Sequence, residues 1–64
     1  MTKERINETT YANIYGLYTD SGSIIGTMET VLAGRNVGTY YYSLTPKYTR
    51  NQIKAYFKTA TERR

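Results

Sequence analysis

The chain has 64 residues and a formal net charge of +4, with eight tyrosines and no cysteine, histidine or tryptophan. A chain of this length forms one domain with a small core, because folding buries only about 60% of its unfolded surface. The missing cysteine and histidine exclude disulfides, thiolate–zinc sites and the commonest acid–base side chain at neutral pH, so we expect no metal and no cofactor.

The sequence contains no feature that points to a membrane. No apolar run approaches the roughly 20 residues that a membrane-spanning helix needs. The first residues, Met1–Arg5, also lack the apolar segment of a secretory signal peptide. We therefore expect a cytoplasmic protein without a membrane partner.

Residues 1–10 are mostly polar, with one aliphatic side chain after the initial methionine. We expect them to form a flexible N-terminal arm in front of a single small domain over residues 11–64. An ordered first helix capped by Thr2 is the alternative. Residues with strand propensity, such as Tyr11, and the glycine at position 16 (Gly16) argue against that helix.

Three stretches rich in β-branched and aromatic residues follow the arm. They are Tyr11–Thr19, Ile24–Leu32 and Val37–Thr45, and the segments between them, Asp20–Ser23 and Ala33–Asn36, have the composition of turns. Strands joined by short polar turns pair with their neighbours in the chain. This pattern therefore predicts a three-stranded antiparallel meander.

The turns also constrain how the strands pair. If Ser21 and Gly22 form the centre of the first turn, three cross-strand pairs follow: Tyr18–Ile25, Gly16–Thr27 and Ile14–Glu29. In the second hairpin, a two- or four-residue loop places Met28 opposite Tyr41, whereas a three-residue loop places it opposite Tyr42. A slip of one residue exchanges the faces of a strand. We favour the three-residue loop because it gathers the largest apolar set on one face: Tyr15, Leu17, Met28, Leu32, Tyr40, Tyr42 and Leu44.

The stretch after Pro46 predicts a helix from about Arg50 to Glu62. Thr49 and Gln52 have the spacing of a capping box, in which each side chain bonds the backbone N–H of the other residue. Apolar residues then recur at helical spacing: Ile53, Tyr56, Phe57 and Ala60. We therefore expect an α+β fold in which this C-terminal amphipathic helix packs on one face of the three-stranded sheet.

The charges divide the chain into two unlike halves. Residues 1–32 carry two basic and four acidic side chains, a net charge of −2, whereas residues 33–64 carry seven basic and one acidic, a net charge of +6. Three of the basic residues recur every four residues beside the apolar stripe of the helix: Arg50, Lys54 and Lys58. Such a flank is often only a solvated helix face. Here the lack of interleaved acids favours binding to phosphates or to an acidic protein surface.

These residues define a predicted nucleic-acid-binding surface. Its members are Arg35, Lys47, Arg50, Lys54, Lys58 and Tyr41, with Arg63 and Arg64 as further charges. Side-chain alternation places Tyr41 on the face opposite Tyr40 and Tyr42. We expect Tyr41, together with Tyr18, on the open face of the sheet, where a ring can stack on a base. Packing against a cross-strand neighbour is the alternative role for these rings.

The sequence offers little for catalysis. Glu29 is the only carboxylate inside a predicted strand, and no second acid lies near it to form an acid–base pair. The serines have no histidine to activate them. The segment Gly34–Gly38 has the glycines of a phosphate-binding loop, but a strand follows it instead of a helix.

We therefore expect a small, non-enzymatic, basic module that binds nucleic acid, DNA in particular, or regulates another process. The alternative is a small protein-binding regulator or inhibitor, of the kind that phages and mobile elements use, acting through its tyrosine-rich surface. A homodimer, formed through a sheet edge or through the open tyrosine face, is a further expectation, because the first predicted strand, Tyr11–Thr19, has no charge to protect its edge.

The predicted order of three strands and a helix resembles the DNA-binding arms of tyrosine recombinases and plant AP2-type domains. The run from Tyr48 and Thr49 into Ile53 and Ala55 is similar to the start of the helix in the recombinase arms. This resemblance implies a sheet that enters the major groove of DNA. The strands of this chain depart from that pattern because they carry few basic residues.

Overall fold

The computed structural model describes residues 1–63, which form a five-stranded sheet and one helix. The elements are β1 (Thr2–Glu8), β2 (Ala12–Tyr18), β3 (Ile24–Val31), β4 (Gly38–Ser43), α1 (Arg50–Thr59) and β5 (Thr61–Arg63). The strands lie in the order β4-β3-β2-β1-β5, and all neighbours are antiparallel except β1 and β5. The α+β class is confirmed. The three-stranded meander is wrong, because β1 and β5 extend the sheet into a mixed one.

Strand β1 lies where we expected a flexible arm over residues 1–10. It pairs antiparallel with β2, and a bulge interrupts the register between Arg5 and Asn7. The turn between the strands is closed by the Thr9 N–H, which donates to the Ala12 carbonyl oxygen at 2.8 Å. The composition of β1 gave no sign of a strand, because four of its seven residues are charged.

This pairing also changes the position of β2 in the sheet. The first predicted strand, Tyr11–Thr19, corresponds to β2, which has β1 on one side and β3 on the other. Its backbone groups are therefore used within the sheet. The first predicted strand is therefore not an open edge, since β4 and β5 form the edges of the sheet.

The helix begins where the capping box predicts. The Thr49 N–H donates to Gln52 Oε1 at 2.8 Å, and the Gln52 N–H donates to Thr49 Oγ1 at 3.2 Å. Both halves of the capping box are therefore present, and together they satisfy two backbone donors at the helix start.

The helix ends earlier than predicted, at Thr59 instead of Glu62. Ala60 is extended, with φ −67° and ψ 141°, and the chain continues as β5 beside β1. The Thr61 N–H donates to the carbonyl oxygen of Met1 at 3.2 Å. The open edge of β1 thus supplies hydrogen-bond partners that compete with a last helical turn.

The first central hairpin, β2–β3, follows the predicted register over most of its length. The pairs Gly16–Thr27 and Ile14–Glu29 are confirmed. The pair Tyr18–Ile25 is wrong, because Tyr18 lies opposite Ile24 and the register shifts between Leu17 and Tyr18. This bulge leaves Ile25 as an extra residue, and its side chain is buried in the core.

The second hairpin, β3–β4, has the register that we did not favour. Met28 lies opposite Tyr41, as a two- or four-residue loop requires. Tyr41 therefore faces the helix, where its ring packs on Phe57 with centroids 5.9 Å apart. Tyr40 and Tyr42 point to the other side and are 38% and 48% exposed. Because tyrosines occur on both faces of β4, counting apolar residues could not select the register.

The core lies between α1 and the centre of the sheet. Its buried side chains are Leu17, Ile25, Ile53 and Phe57, and half-buried neighbours surround them: Tyr15, Met28, Tyr41, Tyr48, Tyr56 and Ala60. We call the helix-covered side of the sheet the inner face and the other side the outer face. In the part of the chain that the structure describes, no helix covers the outer face.

Candidate nucleic-acid interface

Three exposed cations form a line along one flank of α1. We call Arg50, Lys54 and Lys58 the basic row. Successive members are separated by one helical turn, about 6 Å along the axis. The ion pairs found within residues 1–63 join the N-terminal amine to Asp20 and Arg5 to Glu8. No carboxylate in that range neutralises the row, so its like charges repel by a few tenths of a kcal/mol per pair until an anion binds.

The basic row borders a groove of about 300 Å³ between α1 and the edge strand β4. We call it the β4–α1 groove. Its helix wall consists of Arg50, Asn51 and Lys54, and its strand wall consists of Thr39 and Tyr40–Tyr42. Because β3 is the only neighbour of β4 in the sheet that residues 1–63 form, the groove lies at an open sheet edge.

The ring of Tyr41 lies beside the basic row. Lys54 Nζ lies 6.0 Å from the centroid of the Tyr41 ring, a distance typical of a cation–π contact. The same ring packs on Phe57 at an interplanar angle of 51°. Tyr41 is half-buried on the inner face, so the expectation that it lies on the open face is wrong. It lies instead in the groove beside Lys54.

The outer face carries three other tyrosines. The Tyr18 ring covers Gly16, with Cε2 2.9 Å from the place that a Cβ atom would take. The Tyr40 ring covers Gly38 in the same way, with its hydroxyl oxygen 3.5 Å from the place that a Cβ atom on Gly38 would take. That hydroxyl donates to a backbone carbonyl oxygen of the preceding turn at 2.9 Å. Both rings thus replace missing side chains along their strands. Tyr42 covers no glycine and is the most exposed of the three.

The other predicted site residues line different clefts. Lys47 precedes α1, and its Nζ lies 5.9 Å from the centroid of the Tyr48 ring. Arg35, in the turn between β3 and β4, lines a cleft with Glu29 and Tyr42 on the outer face. The structure therefore does not bring Lys47 or Arg35 into the β4–α1 groove.

The two C-terminal arginines are also separate from the groove. Arg63 belongs to β5, at the edge of the sheet opposite β4. Arg64 lies outside the described residues. Of the six residues predicted for the site, the groove contains three, namely Arg50, Lys54 and Tyr41, and the basic row extends it to Lys58.

Two polar residues of the groove were missed at the level of sequence. Asn51 contributes an amide from the first turn of α1, next to Arg50. Thr39 contributes a hydroxyl from the inner face of β4. The favoured register would have placed Thr39 on the outer face, whereas Asn51 could have been found from its position beside the basic row.

Nowhere in residues 1–63 do three or more acidic side chains come together in a way that could hold a metal ion. Among residues 1–63, no helix is long and apolar enough to cross a bilayer.

Comparisons of the chain with protein-family models, curated proteins and solved structures give no significant match. The order of three strands and a helix, on which the resemblance to recombinase arms and AP2-type domains depended, also differs from the observed topology. Here β1 precedes β2, β3 and β4 in the chain, and β5 follows the helix. The function must therefore be inferred from the chemistry of the chain's own surface.

Proposed function

We propose that the chain is a small, non-enzymatic module that binds nucleic acid through the basic row and the β4–α1 groove. The observation that carries this proposal is the alignment of Arg50, Lys54 and Lys58 beside an aromatic ring, without a neutralising carboxylate among residues 1–63. A nucleic-acid backbone presents regularly spaced phosphates. Its binding would neutralise the row and release the counterions of the nucleic acid.

The distribution of charge supports an approach from the helix side. On the outer face, the central strands β2 and β3 carry a single charged side chain, Glu29. That carboxylate would repel a phosphate backbone. The cations of α1 lie on the opposite side of the sheet, so one ligand cannot cover both the basic row and the centre of the outer face.

The salt dependence of binding tests the proposal. Affinity for a fluorescein-labelled duplex DNA should fall with rising salt, with a log–log slope of about −0.9 per phosphate contacted. Three contacts, from the basic row, correspond to a slope of roughly −2.7. The double variant Lys54→Gln, Lys58→Gln should flatten the slope by about two units. Its stability should be retained, because glutamine is a good helix former and the repulsion within the row is relieved.

A matched control removes the same charge elsewhere. Arg5 and Arg63 lie on β1 and β5, toward the edge opposite the groove. The variant Arg5→Gln, Arg63→Gln should therefore bind like the wild type. Equal weakening by the two double variants would mean that net charge alone attracts the DNA, and the proposal would be wrong. Unchanged affinity and slope in Lys54→Gln, Lys58→Gln would reduce the basic row to a solvated helix face.

A second candidate function is that of a protein-binding regulator, and the outer face supports it. Tyr42 is 48% exposed there and covers no glycine, so its ring is available to a partner. Exposed tyrosines are common in protein interfaces. A pull-down from lysate, with and without nuclease, separates the two candidates. A protein retained after nuclease treatment but lost with Tyr42→Ser would favour the regulator.

A further inference from the structure

We propose that the ligand of the β4–α1 groove is a single strand, with phosphates on the basic row and bases against Tyr41. This inference rests on the proposed nucleic-acid binding and specifies its substrate class. Proteins that bind single strands combine a positively charged groove along the backbone with aromatic rings on which bases stack. The β4–α1 groove has both, since Arg50 and Lys54 form one wall and Tyr41 belongs to the other.

The shape of the site favours a single strand over a duplex. A duplex is read by a convex element, a helix or a β-ribbon, that enters its major groove of about 12 Å width. Here the element beside the cations is concave, a groove of about 300 Å³. A flexible single strand can bend into this depression, whereas a rigid duplex would span it.

The arrangement of charge leads to the same conclusion. The cations lie in one line on one wall of the groove. The opposite wall is β4, with the sequence GTYYYS, which has no charged residue. One row of phosphates can bind to the basic row while the bases turn toward β4. The strand itself therefore offers no cation to the second backbone of a duplex.

The strand wall offers groups that suit exposed bases. Tyr41 contributes a half-buried ring whose position is fixed by Phe57 and Lys54. Thr39 and Asn51 line the same groove with a hydroxyl and an amide, which can bond the edges of unpaired bases. As an edge strand, β4 also presents backbone N–H and C=O groups on its open side. In a duplex these base edges would be paired and out of reach.

The test compares two probes under one buffer condition. A fluorescein-labelled oligothymidylate of about 12 nucleotides suits a site of this size. Its anisotropy titration is compared with that of a duplex of equal length. We expect the single strand to bind about tenfold more tightly or better. Its log–log salt slope should change by about 0.7 for each phosphate contact that is lost.

Tyrosine variants inside and outside the groove then locate the bases. Tyr41→Leu should weaken binding of the single strand about fivefold or more without a change in salt slope, because stacking releases no counterions. Tyr41→Phe keeps the ring and should bind like the wild type. Tyr11→Leu, at a tyrosine that is 66% exposed and lies outside the groove, is the matched control and should also have little effect. Circular dichroism checks that each variant folds. If Tyr41→Leu unfolds, Asn51→Ala, at an exposed helix position, should still weaken the single strand.

The following outcomes of these titrations would overturn the inference. Equal or tighter binding of the duplex, with dependence on Lys54 and Lys58, would exclude a single-strand site while the proposed function stands. Wild-type affinity in Tyr41→Leu and Asn51→Ala would exclude base contacts in the groove. If neither DNA probe binds, or if polyglutamate competes as well as oligothymidylate for the basic row, nucleic-acid binding itself would be wrong.

Discussion

The side chain of Ile53 fills the space that a Cβ atom on Gly26 would need. Its Cγ2 and Cδ1 atoms both lie 2.8 Å from that position, and the Tyr42 carbonyl oxygen lies 2.9 Å from it. The absence of a side chain at Gly26 therefore lets α1 approach β3 closely. The fully buried Ile53 depends on this close approach.

We expect Gly26→Ala to destabilise the protein. The added methyl group meets Ile53 and a strand carbonyl at distances that require α1 or β4 to move. Overpacking of this kind costs about 1–3 kcal/mol. Urea denaturation of the variant and the wild type measures the difference in their free energies of unfolding, provided that both depend on urea concentration with the same slope. A stability equal to that of the wild type would show that α1 does not pack this closely on the sheet.

A double variant shows whether the effect arises at this contact. Ile53→Val removes the Cδ1 atom and by itself costs about 0.5–1.5 kcal/mol. In the background of Gly26→Ala it also relieves part of the clash. The combined loss should therefore be smaller than the sum of the single losses.

The capping box should make a measurable contribution to stability. Thr49→Ala removes the hydroxyl that accepts the Gln52 N–H, and loss of such a cap costs about 1 kcal/mol. Thr49→Ser keeps the hydroxyl and serves as the control. Because Arg50 follows the cap directly, fraying of the first turn should also weaken DNA binding. Thermal melts and anisotropy titrations of the two variants check both expectations.

Lys3 connects β1 to the end of the helix, and its replacement tests whether this segment is ordered. Its Nζ donates to the Phe57 carbonyl oxygen at 3.2 Å. The negative end of the helix dipole also stabilises the positive charge of Lys3 at this position. Lys3→Met should cost about 0.5–1.5 kcal/mol, a fall in Tm of several degrees. A flexible arm over residues 1–10 would predict no change.

Self-association should increase with salt. The charge-free edge strand β4 is the natural place for two copies to pair. Antiparallel pairing there would bring two basic rows together, each beside its own β4. At about 50 mM NaCl this repulsion should keep the protein monomeric, and at about 500 mM NaCl it is largely screened. Sedimentation velocity at both salts, with Lys54→Gln, Lys58→Gln for comparison, measures the effect. A dimer that dissociates at high salt would contradict this expectation.

The sequence predicts most reliably what is determined locally. The capping box of Thr49 and Gln52 and the helical spacing of Ile53 and Phe57 depend on residues within two turns of one another. They located the start of α1 and its buried side correctly. The same spacing also placed Arg50 and Lys54 on one flank of the helix. Helix geometry alone thus accounts for the predicted half of the groove.

The features that the sequence does not predict depend on contacts between distant segments. β5 is a strand because it pairs with β1 at the other end of the chain, and β1 pairs with β2 as well. Neither β1 nor β5 has the apolar alternation that marks a half-buried strand. The face of Tyr41 depends on a one-residue choice in the second hairpin. Tyrosines at positions 40 to 42 satisfy both choices, so only docking of Phe57 against Tyr41 distinguishes them.

The pairing of β1 with β5 has a kinetic consequence. It places Thr2 beside Thr61, whereas the central strands are joined by short hairpins. Closing so long a loop costs more entropy, so we expect the hairpins to form first and the β1 edge to be covered last. Until then β1 presents its free edge to other chains. Four of its seven residues are charged, which disfavours pairing with a second copy. The charges that made this segment look like a solvated arm thus protect the folding sheet from aggregation.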